Sequence, residues 1–229
     1  MGVFLGFAVS GFLALALSSK LAGMWPPSVV QPEKFTAFLF GVLAFHGVAI
    51  PSIAYFLWDH DRSWREAFDI PGPEPGRTIL YGILGAIIII PLAYGLQWVC
   101  GWLIEFTGHK IAVQDTIEIL QRERVWFVRG AFFVFAVVIA PLVEECLFRG
   151  IFFSALRDRG YRKAAYLVSA VVFGAIHMNL VAFLPLALFG LIQAWMYERS
   201  GSLLTPIITH SLFNALPFVL LHFGLTDQF

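Results

Sequence analysis

Residues 131–150 read AFFVFAVVIAPLVEECLFRG, and this stretch places two adjacent glutamates and an arginine inside an apolar run. Its first half carries no charge, and apolar residues follow it directly. A run of about 20 apolar residues is long enough to span a bilayer as an α-helix. Ionisable side chains at membrane depth are costly, and those that occur usually face a polar interior with a function. The stretch therefore predicts a transmembrane helix that carries Glu144, Glu145 and Arg149 for a chemical purpose.

The composition predicts a membrane protein with several spans. Of the 229 residues, 59% are hydrophobic and 13% are charged, whereas a soluble domain has about 45–50% apolar and roughly 25% charged residues. The 15 basic and 15 acidic residues balance, so the chain lacks the basic footprint of a nucleic-acid-binding protein. Cys100 and Cys146 lie in apolar runs and show no metal-ligand spacing. The lipid bilayer is the expected partner, and nucleic acid is not.

The uncharged runs predict an all-α bundle of about seven transmembrane helices in one integral membrane domain, 1–229. The spans are assigned to 3–19, 35–58, 78–104, 131–156, two short helices that divide 164–197 near 179–185, and 203–223. The link 107–129 predicts an amphipathic surface helix, and SWREAF at 63–68 predicts an interfacial helix. The first run has no basic residues before it, so we interpret it as a span and not as a cleaved signal peptide.

Two ionisable side chains lie at the same predicted depth. Glu144 precedes Arg157 by 13 residues, and His177 follows Lys163 by 14 residues. Because a helix rises about 1.5 Å per residue, each side chain lies about 20 Å from the polar link between the two helices. We therefore expect Glu144 and His177 to share a site on antiparallel neighbours.

The spacing of the other polar residues assigns them to helix faces. His210 and Asn214 are four residues apart and project from one face. Thr205-Pro206 predicts the start of that helix, whose positive end favours a neutral His210 that donates a hydrogen bond. Glu145 and Arg149 are also four residues apart, in the order that favours an ion pair. Glu144 points about 100° away and remains available for other partners.

Each of these signals alone has a simpler structural explanation. The Glu145–Arg149 pair fits a buried structural contact, His177 fits a packed or interfacial histidine, and His210 with Asn214 fits a polar contact between helices. Together, a carboxylate, two histidines and an amide inside three spans indicate a site that activates water.

Three motifs carry a resemblance to a known family. Glu144–Arg149 matches EExxxR, Phe173–His177 matches FxxxH, and His210–Asn214 matches HxxxN, in that order. The chain resembles the CAAX-protease and bacteriocin-processing family, intramembrane glutamic endopeptidases similar to the Ras-converting enzyme. The resemblance covers roughly 131–221, within an expected catalytic core at 127–223.

The resemblance implies a protease without a cofactor, in the cell membrane of a prokaryote, that cleaves a membrane-associated protein or peptide. It assigns the activation of water to Glu144 and His177, and the stabilisation of the oxyanion to His210 and Asn214. Glu145 and Arg149 would hold the helix that bears the catalytic glutamate.

Three alternatives remain open on the residues. A zinc metalloprotease could use the same glutamate and histidines as ligands, although the chain has no HExxH motif. A non-catalytic relative could bind a membrane partner as an immunity or signalling protein. A proton-coupled transporter would also place carboxylates and histidines in the membrane, but it would normally show two similar halves.

Overall fold

The computed structural model describes residues 23–24, 32–68, 70, 72, 74–108 and 125–225. All regular structure in this part of the chain is helical, in seven helices. They are α1 Pro32–Asp59, α2 Trp64–Phe68, α3 Pro75–Phe106, α4 Trp126–Asp158, α5 Arg162–Ala175, α6 Leu180–Ser200 and α7 Leu204–His222. Five of them, α1, α3, α4, α6 and α7, are long and apolar enough to cross a membrane. The chain is therefore a polytopic helical membrane protein, as its composition predicts.

Most of the expected helices have counterparts in the described residues. The runs 35–58, 78–104, 131–156 and 203–223 coincide with α1, α3, α4 and α7 to within a few residues. The expected interfacial segment forms α2. The expected span 3–19 and most of the surface helix at 107–129 lie outside the described residues, and α4 takes in the end of that link from Trp126.

The break between α5 and α6 comes earlier than predicted. Helix α5 has 14 residues and ends at Ala175, and α6 begins at Leu180 with Pro185 inside it. Met178 adopts a left-handed conformation with φ of 50°, which a helix interior does not accommodate. Asn179 is the N-cap of α6, and its side chain accepts a hydrogen bond from the backbone N–H of Ala182. Local capping therefore sets the boundary, and the proline does not.

Helix α4 is irregular where it carries the charged residues. Its 33 residues include π-helical segments at Phe135–Ile139 and Cys146–Phe153, on either side of the α-helical Ala140–Glu145. Near the end of the second segment, the Ser154 hydroxyl donates to the Arg149 carbonyl at 3.0 Å. π-Helical turns are rare and occur frequently at functional sites.

The chain divides into two compact units. The first comprises Met1–His60, Val113–Val143 and Ala215–Phe229; in its described part, Phe35, Val128 and Phe132 form a buried cluster. The second comprises Asp61–Ala112 and Glu144–Asn214. All residues of the three motifs belong to the second unit.

Close packing of α7 on α3 positions one side of the second unit. The Thr205 hydroxyl donates to the Thr78 carbonyl at 3.3 Å, and the Thr209 hydroxyl donates to the Gly82 carbonyl at 2.8 Å. A Cβ at Gly82 would lie 2.8 Å from Cβ of Ile208 and 3.0 Å from the Thr205 carbonyl oxygen. Small residues allow membrane helices to approach this closely. The contact fixes the turn of α7 that leads into His210.

The short helix α2 is capped and packs on the second π segment of α4. The backbone N–H and hydroxyl of Ser63 donate to the Glu66 carboxylate at 2.9 and 2.8 Å, forming a capping box. The backbone N–H, followed by the hydroxyl, holds the pKa of Glu66 below its usual value. A Cβ at Gly150 would lie 2.5 Å from the Phe68 ring. The Phe68 carbonyl also accepts the Leu203 N–H at 3.3 Å, so α2 contacts both α4 and the residue before α7.

We predict that Gly82→Ala destabilises the protein, whereas Gly95→Ala does not. The new methyl group at Gly82 meets backbone and Cβ atoms that cannot rotate away, and overpacking of this kind costs about 1–3 kcal/mol. A Cβ at Gly95, on the same helix, has no atom within 4 Å. Thermal unfolding of the purified variants in detergent measures the difference. Equal melting temperatures for the two variants would contradict the close contact of α3 with α7.

Candidate active site

The centre of the polar cluster is the carboxylate of Glu145. The residue is fully buried. Its Oε1 accepts hydrogen bonds from Nη1 of Arg149 at 3.1 Å and from Nδ1 of His210 at 2.8 Å. Nε2 of Gln193 lies 3.5 Å from the same oxygen. The Glu145–Arg149 ion pair expected from their spacing is present. The contacts with His210 and Gln193 are additional, and they bring α6 and α7 to the same carboxylate.

Arg149 is held on three sides although its side chain is only 1% exposed. Besides Glu145, its Nη2 donates to the Gly190 carbonyl of α6 at 3.2 Å. Its Cζ lies 4.6 Å from the centre of the Phe173 ring on α5. A guanidinium over an aromatic face is attracted by the ring, more strongly when water is excluded. Arg149 thereby joins three helices around the site.

Glu144 faces a partner from another helix, as expected from its lack of a cation four residues later. Its side chain is 14% exposed, and its Oε2 lies 3.9 Å from Nε2 of His210. This distance is too long for a direct hydrogen bond, but a water molecule can bridge the two atoms. The adjacent glutamates thus have different environments, with Glu145 enclosed and Glu144 partly accessible.

The contact with Glu145 determines which His210 nitrogen carries a proton. A carboxylate paired with Arg149 accepts hydrogen bonds, so Nδ1 of His210 is the donor; we assign this tautomer from the partner. A neutral His210 then has a lone pair on Nε2 toward Glu144. This differs from the expectation that a neutral His210 donates to an oxyanion, because Nε2 can donate only when the ring is an imidazolium.

Aromatic rings enclose the histidine. The Phe189 ring lies 5.1 Å from the His210 ring and the Phe173 ring lies 5.8 Å from it, both edge-on. Phe213 packs against Phe189 at 4.7 Å. These apolar walls exclude water and strengthen the electrostatic contacts within the cluster.

His177 lies in the turn after α5 and is exposed. Its Nδ1 donates to the Phe173 carbonyl at 2.8 Å, and its ring lies 5.0 Å from the Phe173 ring. Among the described residues, no hydrogen bond or ion pair joins His177 to Glu144. The structure therefore brings Glu144 and His210 together. His177 contacts Phe173, whose ring in turn packs against His210. Asn214 is half-buried on α7, one turn after His210.

Sequence reasoning missed two features of the site. The first is Gln193, an amide side chain inside the uncharged run 164–197, as Asn214 is an amide inside the last apolar run. The hydrogen bond of Glu145 to His210 was missed because no local spacing relates residues on α4 and α7. In the described part of the chain, no group of three or more His, Cys, Asp and Glu side chains is arranged to hold a metal ion.

Comparison with known proteins agrees with the motifs. Residues 126–216, which run from the start of α4 into α7, match the family described as Rce1-like type II CAAX prenyl endopeptidases. The matched region contains all three motifs, at 144–149, 173–177 and 210–214. The match confirms the resemblance that the three motifs indicate.

The chain is also similar to proteins from two bacteria. It is 30% identical over 140 residues to the "Putative membrane peptidase YdiL" of Bacillus subtilis (strain 168), a similarity that covers 61% of this chain and 54% of that protein. It is 32% identical over 78 residues to the "UPF0177 protein YxdF" of Lactococcus lactis subsp. lactis (strain IL1403), covering 34% of this chain and 42% of that one. The chain thus spans about half the length of these relatives. No solved structure matches it.

We predict that Arg149→Ala lowers the free energy of unfolding by about 3–5 kcal/mol, because it leaves the buried Glu145 carboxylate without its cation. The control is Arg162→Ala, which removes an arginine that pairs with Glu198 and has a side chain 65% exposed. Loss of an ion pair with an exposed arginine should change the stability much less. Unfolding in detergent provides the measurement, and an unchanged stability of Arg149→Ala would contradict a structural role for the pair.

Proposed function

We propose that the protein is an intramembrane endopeptidase that hydrolyses a peptide bond of a membrane-associated protein or peptide with a water activated by Glu144. The observation that carries the proposal is the position of His210 between two carboxylates, bonded to Glu145 and 3.9 Å from Glu144. A carboxylate of this kind in a partly dry site is a suitable general base. The family match over residues 126–216 and the similarity to a protein named as a putative membrane peptidase support the same reaction class.

Charge balance assigns one shared proton to the pair of Glu144 and His210. Glu145 and Arg149 neutralise each other, so an ionised Glu144 beside a neutral His210 would leave one net charge inside apolar helices. A net buried charge is costly. One proton held by either Glu144 or His210 makes the cluster neutral.

In the proposed reaction, Glu144 is ionised and His210 is an imidazolium when the peptide binds. A water attacks the peptide carbonyl carbon and transfers a proton to Glu144. The oxygen that becomes negative accepts a hydrogen bond from Nε2 of His210 and from the Asn214 amide, an oxyanion hole in a dry site. Glu144 then delivers its proton to the leaving nitrogen as the C–N bond breaks. The products are a carboxyl group and an amine, and both side chains return to their first state.

The remaining candidate residues act around this centre. Glu145 fixes the ring of His210 and supports its imidazolium, the role that a buried carboxylate has toward a catalytic histidine. Arg149 keeps Glu145 in place. The hydrogen bond to Phe173 uses Nδ1 of His177, so in this proposal Nε2 polarises the attacking water together with Glu144.

The proposed setting is the cell membrane of a prokaryote, because the relatives compared above are bacterial. The five apolar helices, the short α5 and the apolar run 3–19 would together make seven spans. Because the candidate carboxylates lie inside apolar helices, the substrate is a segment of a membrane-associated protein or peptide that reaches them in extended form.

We predict that Glu144→Gln and Glu145→Gln have different effects. Glu144→Gln should keep the melting temperature and lower kcat by about 10²–10⁴, the usual contribution of a general base. Glu145→Gln should lower the melting temperature, since Arg149 loses its counter-ion, and should retain more turnover than Glu144→Gln. The purified variants are compared on a fluorogenic peptide with a prenylated CAAX end and by thermal unfolding. Higher turnover in Glu144→Gln than in Glu145→Gln would reverse the assignment.

The same inactive variant identifies natural substrates. Cells that carry Glu144→Gln should accumulate uncleaved precursors of membrane-associated proteins relative to cells with the wild-type chain, as measured by terminal-peptide mass spectrometry of membranes. Identical membrane proteomes, together with no cleavage of the prenylated peptide, would contradict the peptidase proposal and favour a partner-binding role.

We predict that the peptidase needs no metal ion. The proposed steps use only protein side chains and water, so activity should persist after treatment with a strong chelator and dialysis. The measurement is peptide cleavage before and after chelation, with the metal content determined in parallel. If chelation abolishes activity and stoichiometric zinc restores it, the protein is a metalloprotease.

A further inference from the structure

Gln193 is a polar side chain in a place that favours apolar ones. It is fully buried on α6, which is long and apolar enough to cross a membrane. A buried amide without hydrogen bonds is costly, and a leucine would fill a similar volume without that cost. Its contacts with other residues therefore have to account for its presence.

The amide nitrogen of Gln193 lies between two acceptors. Nε2 is 2.7 Å from the Pro206 carbonyl oxygen and 3.5 Å from Oε1 of Glu145. The opposite orientation of the amide would place its oxygen against two acceptors, so the contacts assign the nitrogen to this position. Oε1 of Gln193 has no hydrogen-bond partner among the described residues. The side chain thus acts in the cluster as a donor.

The two acceptors belong to the two parts of the structure that hold His210. Pro206 lies one helical turn before His210, so its carbonyl belongs to the turn of α7 that holds the imidazole. Glu145 is the residue that bonds to that imidazole. One amide group therefore links the Glu145 carboxylate to the backbone of α7, through a short hydrogen bond to Pro206 and a longer contact with Glu145.

We propose that Gln193 is a positioning residue, which acts through Glu145 and Pro206 to hold the His210 ring in register with Glu144. This inference rests on the proposed function. Errors of about 1 Å in the placement of reacting groups cost up to about 10²-fold in rate. Loss of the Gln193 amide lets α7 shift relative to Glu145, which lowers kcat and leaves KM unchanged because the residue does not reach the substrate.

The test compares Gln193→Leu with Gln97→Leu on the same prenylated CAAX peptide, or on a precursor found in Glu144→Gln cells. Gln97 is a half-buried amide on α3 that makes no hydrogen bond with any described residue, so it controls for the change from glutamine to leucine. Gln193→Leu should lower kcat about 10-fold at constant KM while its melting temperature stays close to that of the control. Gln193→Met is the second variant if the leucine does not fold.

A double-mutant cycle separates positioning from packing. If Gln193 acts through Glu145, Gln193→Leu should have less than a 2-fold effect on kcat in the Glu145→Gln background, because interacting residues are not additive. A 10-fold effect in both backgrounds would contradict the proposal, as would an unchanged kcat in the folded single variant. The activity of the wild type and its loss in Glu144→Gln are measured first, so failure of the proposed function is distinguished from failure of the positioning role.

Discussion

The buried carboxylate of Glu145 is the constraint on which the second unit of the protein depends. Removing an ionised carboxylate from water costs several kcal/mol, and only well-placed partners compensate for it. Those partners are Arg149 on the same helix, His210 on α7 and the amide of Gln193 on α6. Three helices must therefore meet at one oxygen atom. Because a displaced partner would leave a buried charge unpaired, the cluster penalises any other arrangement of these helices.

Packing away from the cluster places the helices where that carboxylate needs them. Thr209 directly precedes His210, and its hydroxyl donates a hydrogen bond to the Gly82 carbonyl on α3. The close approach of α7 to α3 therefore also orients the histidine. Phe68 packs at Gly150, one residue after Arg149, and its carbonyl binds the Leu203 N–H. Contacts outside the cluster thus hold α7 through α3, and α4 through Phe68. Stability and site geometry are consequently linked in this unit, and a change in packing affects the orientation of the imidazole.

The sequence predicts what depends on local spacing and misses what depends on the rotation of one helix against another. The Glu145–Arg149 pair follows from a separation of four residues, and the apolar runs locate α1, α3, α4 and α7. The rise per residue predicts the depth of His177 but not its direction, and α5 ends at Ala175, so this histidine lies in a turn and not on the helix. The Glu145–His210 bond joins residues 65 positions apart. This bond depends on how α4 and α7 pack against each other, which no local sequence spacing indicates.

The adjacency of the two glutamates allows the site to remain neutral throughout the proposed reaction. Glu145 stays ionised against Arg149 at every step, so its charge never has to be moved. In this proposal, Glu144 balances the imidazolium of His210 before the reaction. After Glu144 takes the proton from water, the oxyanion on the substrate balances the same imidazolium. The positive charge stays fixed, and the negative charge moves by the length of one water molecule. In a medium of low dielectric constant, this arrangement avoids the large cost of a net buried charge. In the proposed reaction, one glutamate anchors the histidine while the other exchanges its proton, and a single carboxylate could not do both.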